Sequence, residues 1–302
     1  MRADFIPVEP DFLQVEGWRL PVYYFGQGKP LAVVLAGVHG WEHASVWTAY
    51  NLVQQLSYLQ MNGRILVIPV ANPPAFAGES RLTPQDGGNL GSAFGEQPLG
   101  GLTGALADVL RNLTLEATLV LDLHSAGEAR YLPHVIYWRE NDARLAAAAG
   151  LPFVLNRTTT REGSSDTLGQ SLRADQTGLV IECGGGLVAW QEDVQTTLMG
   201  VRRLLARRSF LSAPGLDILP PTPPERVFTT DQRRLLKAET EGAFYPQVDL
   251  GDRVQAGDPL GWWLPLGSLQ PQLLLNPEYG LVIYLRTRNR AHPGQTLAAL
   301  IV

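Results

Sequence analysis

The chain has 302 residues, 45% of them hydrophobic and 18% charged, with a formal net charge of -5. That is enough chain for one large core, or for a large domain with a small one, and the acidic balance excludes a polyanion-binding role, whether toward nucleic acid or an anionic membrane. The lone cysteine, Cys183, excludes a disulfide framework, MRADFIPVEP lacks the apolar run of a signal peptide, and no stretch approaches the roughly 18 apolar residues of a membrane span, so a cytoplasmic enzyme is expected.

In chain order, the apolar runs Leu31 to Ala36, Ile65 to Val70, Thr118 to Leu123, His134 to Trp138 and Leu179 to Ile181 predict strands covered on both faces, as in a largely parallel or mixed α/β sheet. Between them, Glu42 to Tyr58, Leu102 to Leu113, Arg144 to Gly150 and Gln191 to Arg208 carry apolar residues at helical spacing. The pairs Arg202-Arg203 and Arg207-Arg208 read as the solvated end of the last helix, where positive charge suits the helix dipole.

The stretch SAPGLDILPPTPPE, Ser212 to Glu225, contains five prolines and predicts a stiff, extended connector. Beyond it, glycine-punctuated runs such as GAFYPQVDLGDRVQAGDPLGWW predict hairpins. The expected organisation is a catalytic α/β domain over 1–212, a Pro-rich linker over 213–224 and a small all-β domain over 225–302. The segments GDRVQAGDPLG and RNRAHPGQTLA are faintly repetitive and resemble the barrel-sandwich hybrid of biotinyl and lipoyl carriers. No lysine sits at a hairpin tip, however, because Lys237 is the only lysine after Lys29. A lid or a homo-oligomer contact is therefore expected in place of a swinging arm. Trp262 and Trp263 are expected in the core of this unit, with a pocket rim as the alternative.

Three polar motifs sit at the ends of apolar strands, where open α/β sheets gather ligands. In Gly37-Val38-His39-Gly40-Trp41-Glu42, an imidazole and a carboxylate three residues apart can converge on one cation, and both are ordinary zinc donors. Asp122-Leu123-His124 adds a second imidazole, giving the three-ligand form of a catalytic zinc site with one position open; Asp122 either orients a neighbour or caps a loop. In Ile181-Glu182-Cys183-Gly184-Gly185-Gly186, a carboxylate ends a third strand, placed to act as general base on water and then as acid to a leaving amine. Cys183 reads as a core thiol, since no motif supplies a histidine base for a nucleophile.

The HGWE turn, the Asn72-Pro73 segment continuing to Arg81 and Asp86-Gly87, the DLH triplet and the IECGG strand end occur in one order. Together they resemble the succinylglutamate desuccinylase/aspartoacylase family, a branch of the zinc carboxypeptidase fold, over nearly the whole chain. The resemblance implies an α/β core with a mixed, mostly parallel sheet flanked by helices, one Zn2+ per chain on His39, Glu42 and His124, Glu182 as general base, and Arg81 polarising the scissile carbonyl. The chain departs from the family downstream. Members commonly read Asp-Leu-Asn-Arg, whose Asn-Arg pair grips a substrate carboxylate, whereas Asn89-Leu90-Gly91-Ser92 stands here. The substrate-binding region around Asn89, Gly91 and Ser92 thus lacks that clamp, and Arg130, Arg157, Arg161 or Arg173 are the candidates to replace it.

The expected function is hydrolysis of the amide bond of a small N-acyl compound. The alternatives are a carboxypeptidase-like peptidase, an esterase, or a metal-stabilised binding protein. His39 to His43 also spells His-x-x-Glu-His, in which His39 and His43 would bind metal and Glu42 would be the base; that reading requires the motif to lie within a helix. His134 and His292 have no partners in sequence and read as structural.

Overall fold

The Val/Ile/Leu runs form the centre of a mixed sheet whose faces are closed by helices. The computed structural model describes residues 7–95, 99–158, 167–185, 187–211 and 226–302, so the predicted linker over 213–224 lies outside the described residues. The chain opens with strands β1 (Asp11–Val15), β2 (Trp18–Gly26) and β3 (Leu31–Leu35), then helix α1 (His43–Leu56), β4 (Arg64–Ile68), α2 (Pro73–Ala77) and α3 (Gly101–Thr114). It continues with β5 (Ala117–Ala126), β6 (Ala129–Tyr131), β7 (His134–Tyr137), α4 (Ala143–Ala148), β8 (Phe153–Asn156), α5 (Leu168–Ser171), β9 (Thr177–Gly185) and α6 (Gln191–Arg207). The C-terminal segment contributes β10 (Arg226–Thr229), β11 (Arg233–Lys237), β12 (Gly242–Pro246), β13 (Arg253–Val254), β14 (Pro259–Pro265), β15 (Gln272–Leu275), β16 (Gly280–Arg286), β17 (Arg290–Ala291) and β18 (Thr296–Ile301).

The main sheet runs β1-β2-β4-β3-β5-β9-β6-β16-β18-β11, with β7, β8 and β10 branching from β9. Strands β4, β3, β5 and β9 are mutually parallel. In β3 every residue is buried, because alternate side chains feed two cores. Ala32 and Val34 pack with Leu52, Val53 and Leu56 of α1 and with Val201 and Leu205 of α6. Val33 and Leu35 pack with Leu106, Ala107 and Leu110 of α3. Each such valine or leucine contributes about 1.5–3 kcal/mol through burial, so helices are needed on both faces. No helix of the described residues is long and apolar enough to cross a membrane.

The residues after 226 are woven into this sheet as well as forming their own. Strand β10 pairs parallel with β8, and β16 pairs antiparallel with β6. A second, four-stranded sheet has the order β15-β14-β12-β17. Its inner face meets β16 and β18 in a core containing Phe244, Leu260, Trp263, Val282 and Leu300. Trp263 is buried as expected, whereas Trp262 faces outward.

His134 of β7 is buried, its Nδ1 2.8 Å from the carbonyl oxygen of Leu132, with Tyr131 and Phe228 beside the ring. Burial drives its pKa down to about 4, and Arg233 adds to the effect against the Leu132 hydrogen bond. The unfolded chain, with an ordinary histidine near 6.5, therefore holds more protons between pH 6.5 and 4 than the folded one. Stability is fully retained above pH 6.5 and falls as pH drops through that window, by up to about 3 kcal/mol from this group. His134→Asn, which keeps an N–H donor for Leu132, is expected to flatten the slope between pH 7 and 5 in denaturant titrations.

Candidate metal and hydrolytic site

Parallel β3, β5 and β9 bring their carboxyl ends to one edge, with Leu35 opposite Asp122 and His124 opposite Glu182. The chain leaves β3 through Gly37, whose φ of +65° suits glycine, and reaches His39 and Glu42 before α1 begins at His43. Gly40 is needed for packing: a Cβ there would lie 1.8 Å from the carbonyl oxygen of Ala75 in α2. Buried Asn72 caps α2 by accepting from Ala75 N at 3.2 Å, while its Nδ2 donates to Val38 O and Thr83 Oγ1. Gly40 N also donates to Ser80 O at 2.8 Å. The Asn-Pro segment thereby locks the His39 turn to the loop that carries Arg81. Asp86 closes the same loop onto α3, accepting from the backbone N and the Oγ1 of Thr103, both at 2.7 Å.

His39, Glu42 and His124 converge, with one potential ligand atom from each lying within 4.8 Å of the others. Glu42 Oε1 is 2.5 Å from His39 Nδ1, and Oε2 is 3.1 Å from His124 Nδ1 and 3.1 Å from the backbone N of Ser125. The far nitrogens are tied back. His39 Nε2 is 3.1 Å from Asn89 Oδ1, and His124 Nε2 is 3.2 Å from Asp122 Oδ1. Asn89 Oδ1 also accepts from Gly91 N at 3.0 Å, which fixes the amide with its oxygen toward the ring. Asn89 thus makes His39 Nε2 the donor and leaves the His39 Nδ1 lone pair aimed at Glu42, while His124 Nε2 lies at ion-pair distance from Asp122. Two acceptors so close require a positive charge between them, either a proton or a metal ion.

The electrostatics agree. Burial pushes the Glu42 carboxyl up, but His39 and His124 together hold it well below the usual range. Burial pushes the His124 imidazole down, and Asp122 and Glu42 outweigh that to raise it far above normal. The donor set and its burial fit a divalent metal ion.

This cluster opens on a cavity of about 630 Å³, whose lining also includes Arg81, Glu182, Asn89 and Gly91. Burial raises the Glu182 carboxyl to about 7, with His124 opposing and Glu42 reinforcing the shift. Gly91 is dictated by contact, since a Cβ would come within 2.8 Å of His39 Nε2. Asn89 and Gly91 therefore support His39, while Ser92, expected in the same region, is not part of the cavity lining and turns its hydroxyl toward Asn89 O at 3.3 Å.

Of the arginines expected to replace the clamp, Arg130 is bound by Asp193 and Glu192, and Arg173 pairs with Asp175 beside a different cavity. Arg161 lies outside the described residues. Arg157 does line the main cavity. His43 opens α1 and packs edge-on against Phe76, apart from the cluster, so the His-x-x-Glu-His alternative gains no support. Cys183 is buried in the first core with its thiol pKa pushed up by burial, as a packing residue should be.

Sequence reading missed Glu128, Tyr131, Tyr284 and Arg286 in the cavity wall. Arg286 Nη2 donates to Glu128 Oε2 at 2.7 Å, and Arg288 pairs with the same carboxylate. No local signal links groups 158 residues apart in the chain.

Residues 28–208 match the succinylglutamate desuccinylase/aspartoacylase catalytic domain. The chain is 28% identical over 263 residues to the N-alpha-acetyl-L-2,4-diaminobutyric acid deacetylase of Halomonas elongata, covering 83% of this chain and 76% of that protein. An aspartoacylase family protein from Mesorhizobium loti superposes with a TM-score of 0.77 at 26% identity, over 94% of this chain and 90% of the other. The product-bound ectoine utilization protein EutE (DoeB) of Ruegeria pomeroyi shares the fold, with a TM-score of 0.80 at 23% identity over 94% and 89% of the two chains.

Proposed function

Because the chain belongs to the succinylglutamate desuccinylase/aspartoacylase family, we propose that it is a zinc-dependent deacylase that cleaves the amide bond of a small N-acyl compound. The observation that carries this reading is the convergence of His39, Glu42 and His124 at one cavity with Glu182 on the strand beside His124. His39 Nδ1, a Glu42 carboxylate oxygen and His124 Nδ1 would hold the ion. When bound, zinc polarises a carbonyl and brings the pKa of water toward about 7.

The remaining work falls to the protein's own groups. Glu182, on the strand beside His124 and at the cavity wall, takes a proton from the attacking water and returns it to the departing nitrogen. Arg81, at the cavity wall, donates to the carbonyl oxygen as negative charge builds there. Asn89 holds His39 in the tautomer that leaves Nδ1 free, and the Asp122 charge lies beside Nε2 of His124. An amide substrate is further supported by the Halomonas relative, whose name specifies a deacetylase.

The reading is tested by offering zinc-loaded protein matched N-acetyl-amino acids, peptides and esters. Turnover confined to the N-acyl amides supports it; turnover of peptides or esters alone overturns it. The support for His39 can be tested separately. Asn89→Leu removes the oxygen that accepts from Nε2 and is expected to weaken zinc affinity about 10–100-fold in competition with a chromophoric chelator.

A further inference from the structure

Glu182 stands immediately before an irregularity in β9. His124 pairs with Glu182 and Ala126 with Gly185, so two steps along β5 are matched by three along β9. The extra residue makes a bulge at Cys183-Gly184, an insertion of the kind that bends a strand and re-aims the side chain beside it. Gly184 takes a φ of +83° and Gly185 one of +137°, both open to glycine and strained for other residues. The ladder alone holds such a corner loosely, because the extra residue has no partner in it.

The corner is braced from α6 and β6. Asp193, in the first turn of α6, is buried, and its Oδ2 would lie 2.1 Å from a Cβ on Gly184, so the carboxylate fills the space that a side chain would take. Arg130, opposite Gly185 on β6, grips that carboxylate with its fork: Nε donates to Oδ2 at 2.8 Å and Nη2 to Oδ1 at 2.9 Å. Nη2 also pairs with Glu192, and Cζ stands 4.9 Å from the centre of the Trp190 ring. The strand β6 and the start of α6 are thus fastened to β9 at the two glycines that follow Glu182. A buried ion pair adds little net stability, since desolvation offsets the attraction, and its best-attested use is to fix one arrangement among several.

We infer that Arg130 and Asp193 are positioning residues for Glu182: by holding the bulge, they fix the direction in which its carboxylate enters the cavity. The inference rests on the deacylase reading, in which Glu182 is the general base. Glu182 lines the cavity, whereas neither Arg130 nor Asp193 is among the described residues that do, so both act through the backbone of the corner. A misplacement of about 1 Å is enough to cost ~100-fold in rate.

The test is a double-mutant cycle on the zinc-loaded full chain, with an N-acetyl-amino acid as substrate. Asp193→Asn keeps the shape of the side chain, but its amide N–H groups would face a donor of Arg130, which breaks the fork. It is expected to lower kcat about 10–100-fold, with KM and zinc content within about twofold of the parent. Arg130→Gln should behave alike, and Arg130→Lys, which keeps the charge without the fork, should recover part of the loss. In Glu182→Gln protein the same Asp193→Asn change should lower kcat less than about twofold, because no base is left to misplace. An equal loss in both backgrounds means a general structural role and overturns the inference, as does an Asp193→Asn variant with the parent's kcat. Should Asp193→Asn not fold, Arg130→Lys takes its place in the cycle. Failure of the underlying reading looks different: full activity in Glu182→Gln alone, or a parent that turns over no N-acyl amide. In either case diffraction from Asp193→Asn crystals judges the brace separately. A Glu182 carboxylate displaced by about 1 Å from its place beside His124 upholds it, and an unmoved one overturns it.

Discussion

Glu182→Gln is expected to leave the fold and the bound metal intact while lowering kcat by a factor on the order of 10²–10⁴, the usual worth of a positioned general base. The substitution is nearly isosteric, and Glu182 is not one of the three converging ligands. It removes only the ability to accept and return a proton. The pH profile should carry the same signature. Burial lifts the Glu182 carboxyl to about 7 in the protein alone, and a cation in the neighbouring cluster favours the ionised form and draws it lower. The parent should therefore lose activity on the acid side, below neutrality, as the base becomes protonated, and the variant should lack that limb. Full activity in the variant would remove Glu182 from the chemistry.

Glu42→Gln should have a larger effect, because it acts on the metal itself. The carboxylate sits between two imidazole Nδ1 atoms, 2.5 and 3.1 Å away, and among the described residues supplies the only negative charge in direct contact with both. A neutral amide cannot offset a divalent ion there. Zinc content after dialysis is expected to fall to background, and activity by about 10³-fold or more, since metal activation is worth several kcal/mol and each 1.36 kcal/mol is tenfold in rate. Elemental analysis alongside the kinetics separates this outcome from that of Glu182→Gln, in which the metal stays and turnover goes.

What could be read in the sequence follows from how local the determinants are. The strands β3, β4, β5, β7 and β9 were legible because burial on both faces leaves near-continuous apolar runs. The exits from β3, β5 and β9 were legible as site positions because His39, His124 and Glu182 interrupt those runs abruptly. The pair β1 and β2 was not, since their half-exposed faces and mixed residues give no clean period. Nor could the sequence show that β10 and β16 join the main sheet, because such pairing depends on contacts between distant segments. The same holds at the site. Asn89 was placed near the substrate on the strength of its neighbours, and only the fold reveals it holding His39.

The most direct test of the account is diffraction from zinc-soaked crystals on either side of the zinc absorption edge. The account predicts one anomalous peak per chain, bounded by His39 Nδ1, a Glu42 carboxylate oxygen and His124 Nδ1, with Nε2 of each imidazole still directed at Asn89 or Asp122. A peak elsewhere, or no peak at saturating zinc, would contradict it.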